Sequence, residues 1–239
     1  MPFTFSHPAI ILPLIKLGEK RISATALVAG SMAPDFEYFI QMEMRQVHGH
    51  TLPGIFYFDL PLTLIICFIF HLAVRDALIL HAPQVIQQKF KHFVGYSWKK
   101  RFRSHWPVIL ISALLGIASH LFWDSFTHAN RFFVNHIPFL QEQSDFFGVT
   151  LYHHDVAQLA SSLIGGLGIL AVLIIPFNQR FNLKLFLTKM MYWGFVGLIL
   201  IIVLIIRNGN SIGDFIATFI SGGLIGMILT PFCIKWLKN

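Results

Sequence analysis

The segment SHLFWDSFTH sets His120, Asp124 and His128 four residues apart. Steps of four drift about 40° around an α-helix, so the three side chains share one face about 80° wide. Two imidazoles and a carboxylate on one face suit Zn²⁺, Mn²⁺ or Fe²⁺. The competing reading is a polar helix end at a water interface, with Trp123 and His128 in an aromatic belt. His-x3-Asp also arises by chance, so this spacing alone does not choose between the two.

Further groups of the same kind stand in separate segments. His7 lies in FSHP, and Asp35 and Glu37 lie in MAPDFEYF. Pro34 disfavours helix at Ala33, so Asp35 is expected to open a new segment as its N-cap. His48 and His50 lie in HGHTLPG, just before a long apolar run, with Asp59 about one turn inside it. Asp59 could serve as ligand, ion-pair partner or acceptor for an imidazole N–H. His153, His154 and Asp155 open another apolar run. The two adjacent histidines would point about 100° apart on a helix, so at most one enters a shared site. His71, His81, His92 and His105 sit among basic residues and read as interfacial. His136, near Pro138, reads as surface.

These groups need elements to carry them, and composition names the elements. Residues of the AVILMFWYC set form 55% of the 239 residues and charged residues only 12%. A soluble domain carries about 25% charged residues, so disorder, a coiled coil and an ordinary soluble enzyme are set aside. What remains is an all-α, polytopic membrane helix bundle. Apolar stretches of spanning length cover residues 55–73, 107–123, 156–177, 190–206 and 212–234,. Two shorter pieces, 8–17 and 22–33, are separated by Gly18-Glu19-Lys20-Arg21. They read as short N-terminal helices, or as one broken sixth span. Residues 1–175 would form the domain carrying the site, and 176–239 two further helices completing the same bundle. GGLG at 165–168 and SGGLIG at 221–226 would allow close helix contact,.

Loop charges set the expected orientation. The loop 74–106 carries seven Lys and Arg against Asp76 alone. Loop 178–189 and the C-terminus are also basic, so all three should face the cytoplasm. The loop 124–155 holds only Arg131 against Asp124, Glu142, Asp145 and Asp155, and should face outward. The start of the first span, the end of the second and the start of the third then share the outer boundary. That is where the His and Asp groups cluster. The formal charge of +7 fits cytoplasmic loops beside anionic lipid,. It outweighs a nucleic-acid reading of KHFVGYSWKKRFRSHW at 91–106. Cys67 and Cys233, both in apolar runs, form neither a zinc motif nor a disulfide framework,. No cleavable signal peptide is expected at the N-terminus.

The strings MPFTFSHPAIILPL, GSMAPDFEYF, HTLPGIFYFDLPL and SALLGIASHLFWDSFTH resemble a bacterial membrane family of unknown function whose members open with MPFT-x-SHPA. The resemblance covers residues 1–175. The order of an early His, a Pro-Asp, a His-Thr and a later SH-x3-D is more distantly similar to inner-membrane proteins described as metal-dependent hydrolases. That group has been compared with zinc-dependent phospholipase C. The resemblance implies His7, Asp35, His50, His120 and Asp124 as metal ligands, with His128 a further one.

Such a site would hold one or two divalent ions, zinc by this analogy, and Glu37 or Asp59 could act as general base. The expected function is a membrane-embedded hydrolase of a lipid or envelope phosphoester, at the outer face of a bacterial inner membrane. There is no GxSxG elbow, no P-loop and no dinucleotide fingerprint,. The alternatives are a non-catalytic protein with a structural metal and, less favoured, a metal or proton transporter. A transporter would carry ionisable groups near mid-span, and here they crowd the ends. Haem carriage fits poorly with so many aspartates.

Overall fold

The computed structural model describes residues 3–146, 148–174, 183–207 and 211–236. Among the described residues the fold is all-α apart from one two-stranded hairpin. Among the described residues, five helices are long and apolar enough to cross a membrane, as expected for a multi-pass membrane protein. They begin with α4 (Ile55–His81), which contains two π-helical stretches, Ile55–Asp59 and Phe70–Val74. The others are α6 (Trp98–Thr127), α9 (His153–Ile174), α10 (Leu183–Ile206) and α11 (Ile212–Trp236). Between them lie α5 (Gln84–Phe90), α7 (Phe132–His136), α8 (Pro138–Gln141) and the hairpin β1 (Gln143–Phe146) and β2 (Val149–Tyr152).

The second span departs from its expected start at Pro107. Helix α6 continues back to Trp98 through non-helical dihedrals at His105 (φ −139°, ψ 30°). Proline supplies no N–H and crowds the carbonyl four residues earlier, which kinks a helix rather than always ending it. The expected end of the third span at residue 177 lies outside the described residues.

The N-terminal pieces are short helices. They are α1 (Pro8–Ile11), flanked by 3₁₀ turns Thr4–Ser6 and Leu12–Leu17, then α2 (Ala24–Gly30) and a 3₁₀ turn Ala33–Asp35 before α3 (Phe36–Gln41). Ser23 caps α2 by accepting the Ala26 N–H,. Ile11, Ile22 and Leu27 form a small core, with Ile15 and Val28 against it.

The chain packs as two units. One comprises residues 1–35, 49–64 and 105–172, the other 36–48, 65–104 and 173–239. In the first, α2 lies backbone to backbone on α6. A Cβ added at Gly30 would stand 2.4 Å from the Ala113 carbonyl oxygen, and one at Gly116 would stand 2.3 Å from that of Leu27. Only glycine permits this approach. The Ser23 N–H donates to Ser112 Oγ at 2.8 Å across the same contact. The opening turn is tied to α9, where Ser162 Oγ accepts the Phe3 N–H and the Ser162 carbonyl accepts the Ser6 hydroxyl. The GGLG patch meets this turn, since a Cβ on Gly165 would stand 2.9 Å from the Ser6 carbonyl oxygen.

In the second unit, Gly222 and Gly226 of the SGGLIG patch let α11 approach Leu200 and Val196 of α10,. Ser221 donates to the Phe39 carbonyl at 2.6 Å, and Glu43 pairs with Arg207. His71 stacks on Trp98 with centroids 4.3 Å apart and receives Arg75, while His81 stacks on Tyr192. These histidines serve packing.

Candidate metal centre

Three segments of the first unit bring four side chains to one buried point. Asp35 arrives at the end of a 3₁₀ turn, His50 just ahead of α4, and His120 and Asp124 from the last two turns of α6. One ligand atom from each lies within 4.8 Å of all the others, and all four residues are buried. The group could hold a metal ion.

The four side chains lie in close contact. His50 Nε2 lies 2.9 Å from Asp124 Oδ2 and 2.9 Å from His120 Nε2. His120 Nε2 lies 3.3 Å from Asp124 Oδ2, and Asp35 Oδ1 stands 3.5 and 3.6 Å from His50 and His120. Tetrahedral zinc with bonds of about 2.0–2.2 Å separates its ligands by about 3.3–3.6 Å. The cluster sits close to that spacing, slightly drawn in on the His50 side.

Proton accounting points the same way. The Nδ1–H of His120 donates to the Ser31 carbonyl at 2.8 Å. In the neutral ring this leaves a lone pair on Nε2, aimed at His50 and Asp124. Asp35 Oδ2 accepts the Thr4 hydroxyl at 2.6 Å, which leaves Oδ1 for the cluster. Asp124 Oδ2 contributes another lone pair. Two carboxylates in so dry a place carry charge that a divalent cation would cancel.

His50 is held under strain. Its φ is 61°, in the left-handed region that costs a non-glycine residue about 1–2 kcal/mol,. Arg131 fixes this conformation by donating from Nη1 to the His50 carbonyl at 3.0 Å.

The other expected residues fall into distinct places. His7 stacks on His120, with centroids 3.9 Å apart and an interplanar angle of 23°. Its Nε2 lies 3.6 Å from Asp124 Oδ1. Neither ring nitrogen of His7 has a hydrogen-bond partner, and neither does that carboxylate oxygen. Burial pushes the His7 pKa down to about 3. His128 brings Nδ1 to 3.5 Å from the same Asp124 Oδ1, from a side chain 28% exposed. The step-of-four argument therefore holds: His120, Asp124 and His128 do share a face. Asp59 is fully buried on α4, at the end of its first π-helical stretch.

Glu37 belongs to the second unit. There it accepts the backbone N–H groups of Val47 (2.7 Å) and His48 (3.0 Å) and the Gln41 amide (3.0 Å). It anchors the loop after α3. His48 is exposed and offers its backbone to Glu37. His153 and His154 are used near the hairpin. His153 bonds the Phe139 carbonyl and Ser144, and His154 bonds the Leu140 carbonyl. Asp35 occupies the position before α3 expected of an N-cap, but its carboxylate turns to Thr4 and the histidines.

Sequence reading missed Ser31, Thr4 and Arg131. A backbone carbonyl such as that of Ser31 leaves no mark in a sequence. Arg131 did leave one, as the only Lys or Arg of residues 124–155.

No curated protein and no solved structure matches the chain. The profile of a family described as a domain of unknown function, DUF4184, matches residues 1–232. The match takes in the last two spans, which the resemblance over residues 1–175 had left aside. Covering nearly the whole sequence and every residue of the cluster, it shows that the chain belongs to the DUF4184 family.

Proposed function

We propose that this protein is a metal-dependent hydrolase set in the membrane, acting on a lipid or envelope phosphoester. The observation that carries the reading is the convergence of Asp35, His50, His120 and Asp124 at the ends of two apolar helices. Zinc suits the mixed nitrogen and oxygen donor set. A divalent ion held there would lower the pKa of a bound water to about 7. In the reaction the water oxygen bonds phosphorus, the ester P–O bond breaks, and the departing alcohol oxygen takes a proton. Asp59, buried on the same unit, is the candidate general base,. Glu37 is the weaker choice because three N–H groups already occupy its carboxylate. The excess of Lys and Arg in loop 74–106 supports a site facing away from the cytoplasm of a bacterial inner membrane, with the C-terminus inside,. The distant likeness to metal-dependent hydrolases and zinc phospholipase C adds analogy only.

One observation favours a second reading, a structural metal. Four protein ligands, all buried, make a closed shell, and structural zinc sites are closed where catalytic ones keep a position open,.

The test has three parts. Elemental analysis of protein purified without a histidine tag should find bound zinc, lost in His120→Ala with Asp124→Ala. A panel of phospholipids and isoprenoid phosphates should be turned over by the wild type and not by Asp124→Asn. Metal without turnover of any of them would favour the structural reading. For sidedness, Leu52→Cys and Phe139→Cys, in a background without Cys67 and Cys233, should both label from outside the cell. Labelling of either from the cytoplasm would overturn the orientation.

A further inference from the structure

The Asp35, His50, His120 and Asp124 cluster uses one oxygen of Asp124. The other, Oδ1, is buried and has no hydrogen-bond partner. Two imidazole nitrogens stand around it, His7 Nε2 at 3.6 Å and His128 Nδ1 at 3.5 Å. These separations match those among the first four ligands, and they match the edge of a tetrahedral shell of about 3.3–3.6 Å. The His7 side chain is 1% exposed, yet neither of its ring nitrogens has a hydrogen-bond partner. Each such buried polar atom costs about 1–3 kcal/mol. Two of them, His7 Nε2 and Asp124 Oδ1, face each other, and native proteins rarely leave such atoms without a partner,.

We infer a second divalent cation site, formed by His7, His128 and Asp124 Oδ1, with the Asp124 carboxylate bridging it to the first. This deepens the hydrolase reading and rests on it. Three protein donors leave a coordination position open, which the closed four-ligand shell does not. His128, 28% exposed, puts that position at the rim of the site. A small cleft lined by Ser6, Trp123, Ser161 and Ser162 reaches His7. Paired ions that share a carboxylate are suited to a phosphoryl oxygen and an attacking water together. The Gln158 amide nitrogen lies 3.4 Å from His128 Nε2. With that amide turned over, its oxygen would accept the Nε2–H; the Thr127 hydroxyl, 3.2 Å from Nδ1, would turn to the Trp123 carbonyl at 3.5 Å and free the Nδ1 lone pair for the cation,.

The experiment uses full-length protein in detergent, stripped with chelator and loaded with Mn²⁺ alone. Elemental analysis should give two ions per chain, and electron paramagnetic resonance should show an exchange-coupled pair. His7→Gln and His128→Gln should each reduce the count to one and leave the six-line signal of an isolated ion. His128→Gln guards against misfolding, because its side chain is partly exposed. One ion per chain in the wild type, lost in Asp35→Asn but kept in both Gln variants, would overturn the second site and leave the first. No bound ion in the wild type would overturn both.

Discussion

Gly116→Ala probes whether the contact between α2 and α6 holds the metal cluster together. The added Cβ would stand 2.3 Å from the Leu27 carbonyl oxygen and 2.7 Å from the Ser31 nitrogen, where ordinary contact begins at 3.4 Å. Both obstacles are backbone, so no side chain can swing aside. The helices must part by about 1 Å, in line with the cost of about 1–3 kcal/mol typical of overpacking. The same movement carries the Ser31 carbonyl away from His120 Nδ1, now at 2.8 Å. A separation beyond about 3.5 Å is no longer a hydrogen bond. Loss of such an outer partner typically lowers metal affinity about 10–100-fold. Competition with a chromophoric chelator in detergent would read the affinity, and thermal unfolding by circular dichroism the stability. Gly168→Ala is the control, since nothing lies within 4 Å of its Cβ. It should bind metal normally and lose no stability. Gly116→Ala with wild-type zinc affinity would refute the idea that α2 positions His120.

Three further outcomes follow from the same contacts. Arg131→Ala removes the donor that fixes the His50 carbonyl, so metal affinity should drop several-fold while the fold persists; unchanged affinity in the chelator assay would dismiss Arg131 as a positioning residue. Glu37→Gln should raise hydrogen exchange at Val47 and His48, because a neutral amide accepts their N–H groups more weakly than a carboxylate,. Acidification of the loaded protein should release metal, because protons and the cation compete for the same imidazole lone pairs. Retention at pH 4 in an equilibrium dialysis would argue against histidine ligands.

Much of the architecture was legible because lipid imposes a length and a composition. A run of about 20 apolar residues has few other uses, and five such runs gave five helices,. The step of four from His120 to Asp124 to His128 was legible because helix geometry is regular. The adjacent pair His153 and His154 was harder, because a helix start can turn either ring towards a neighbouring loop, and the carbonyls of Phe139 and Leu140 took both. Glu37 shows the same limit: its chemistry suits a general base, yet the loop folded back to supply N–H donors.

The sequence by itself determined that this chain spans a membrane and that imidazoles and carboxylates crowd the ends of its spans, since hydropathy and helical periodicity are local properties. Only the tertiary structure decided which of them meet. Residues 35, 50, 120 and 124 come together because Gly30 and Gly116 let two backbones touch, because Arg131 holds His50 at a positive φ, and because the Ser31 carbonyl turns the His120 ring. Each of these is a contact between residues distant in the chain, and no local pattern encodes the distance between them.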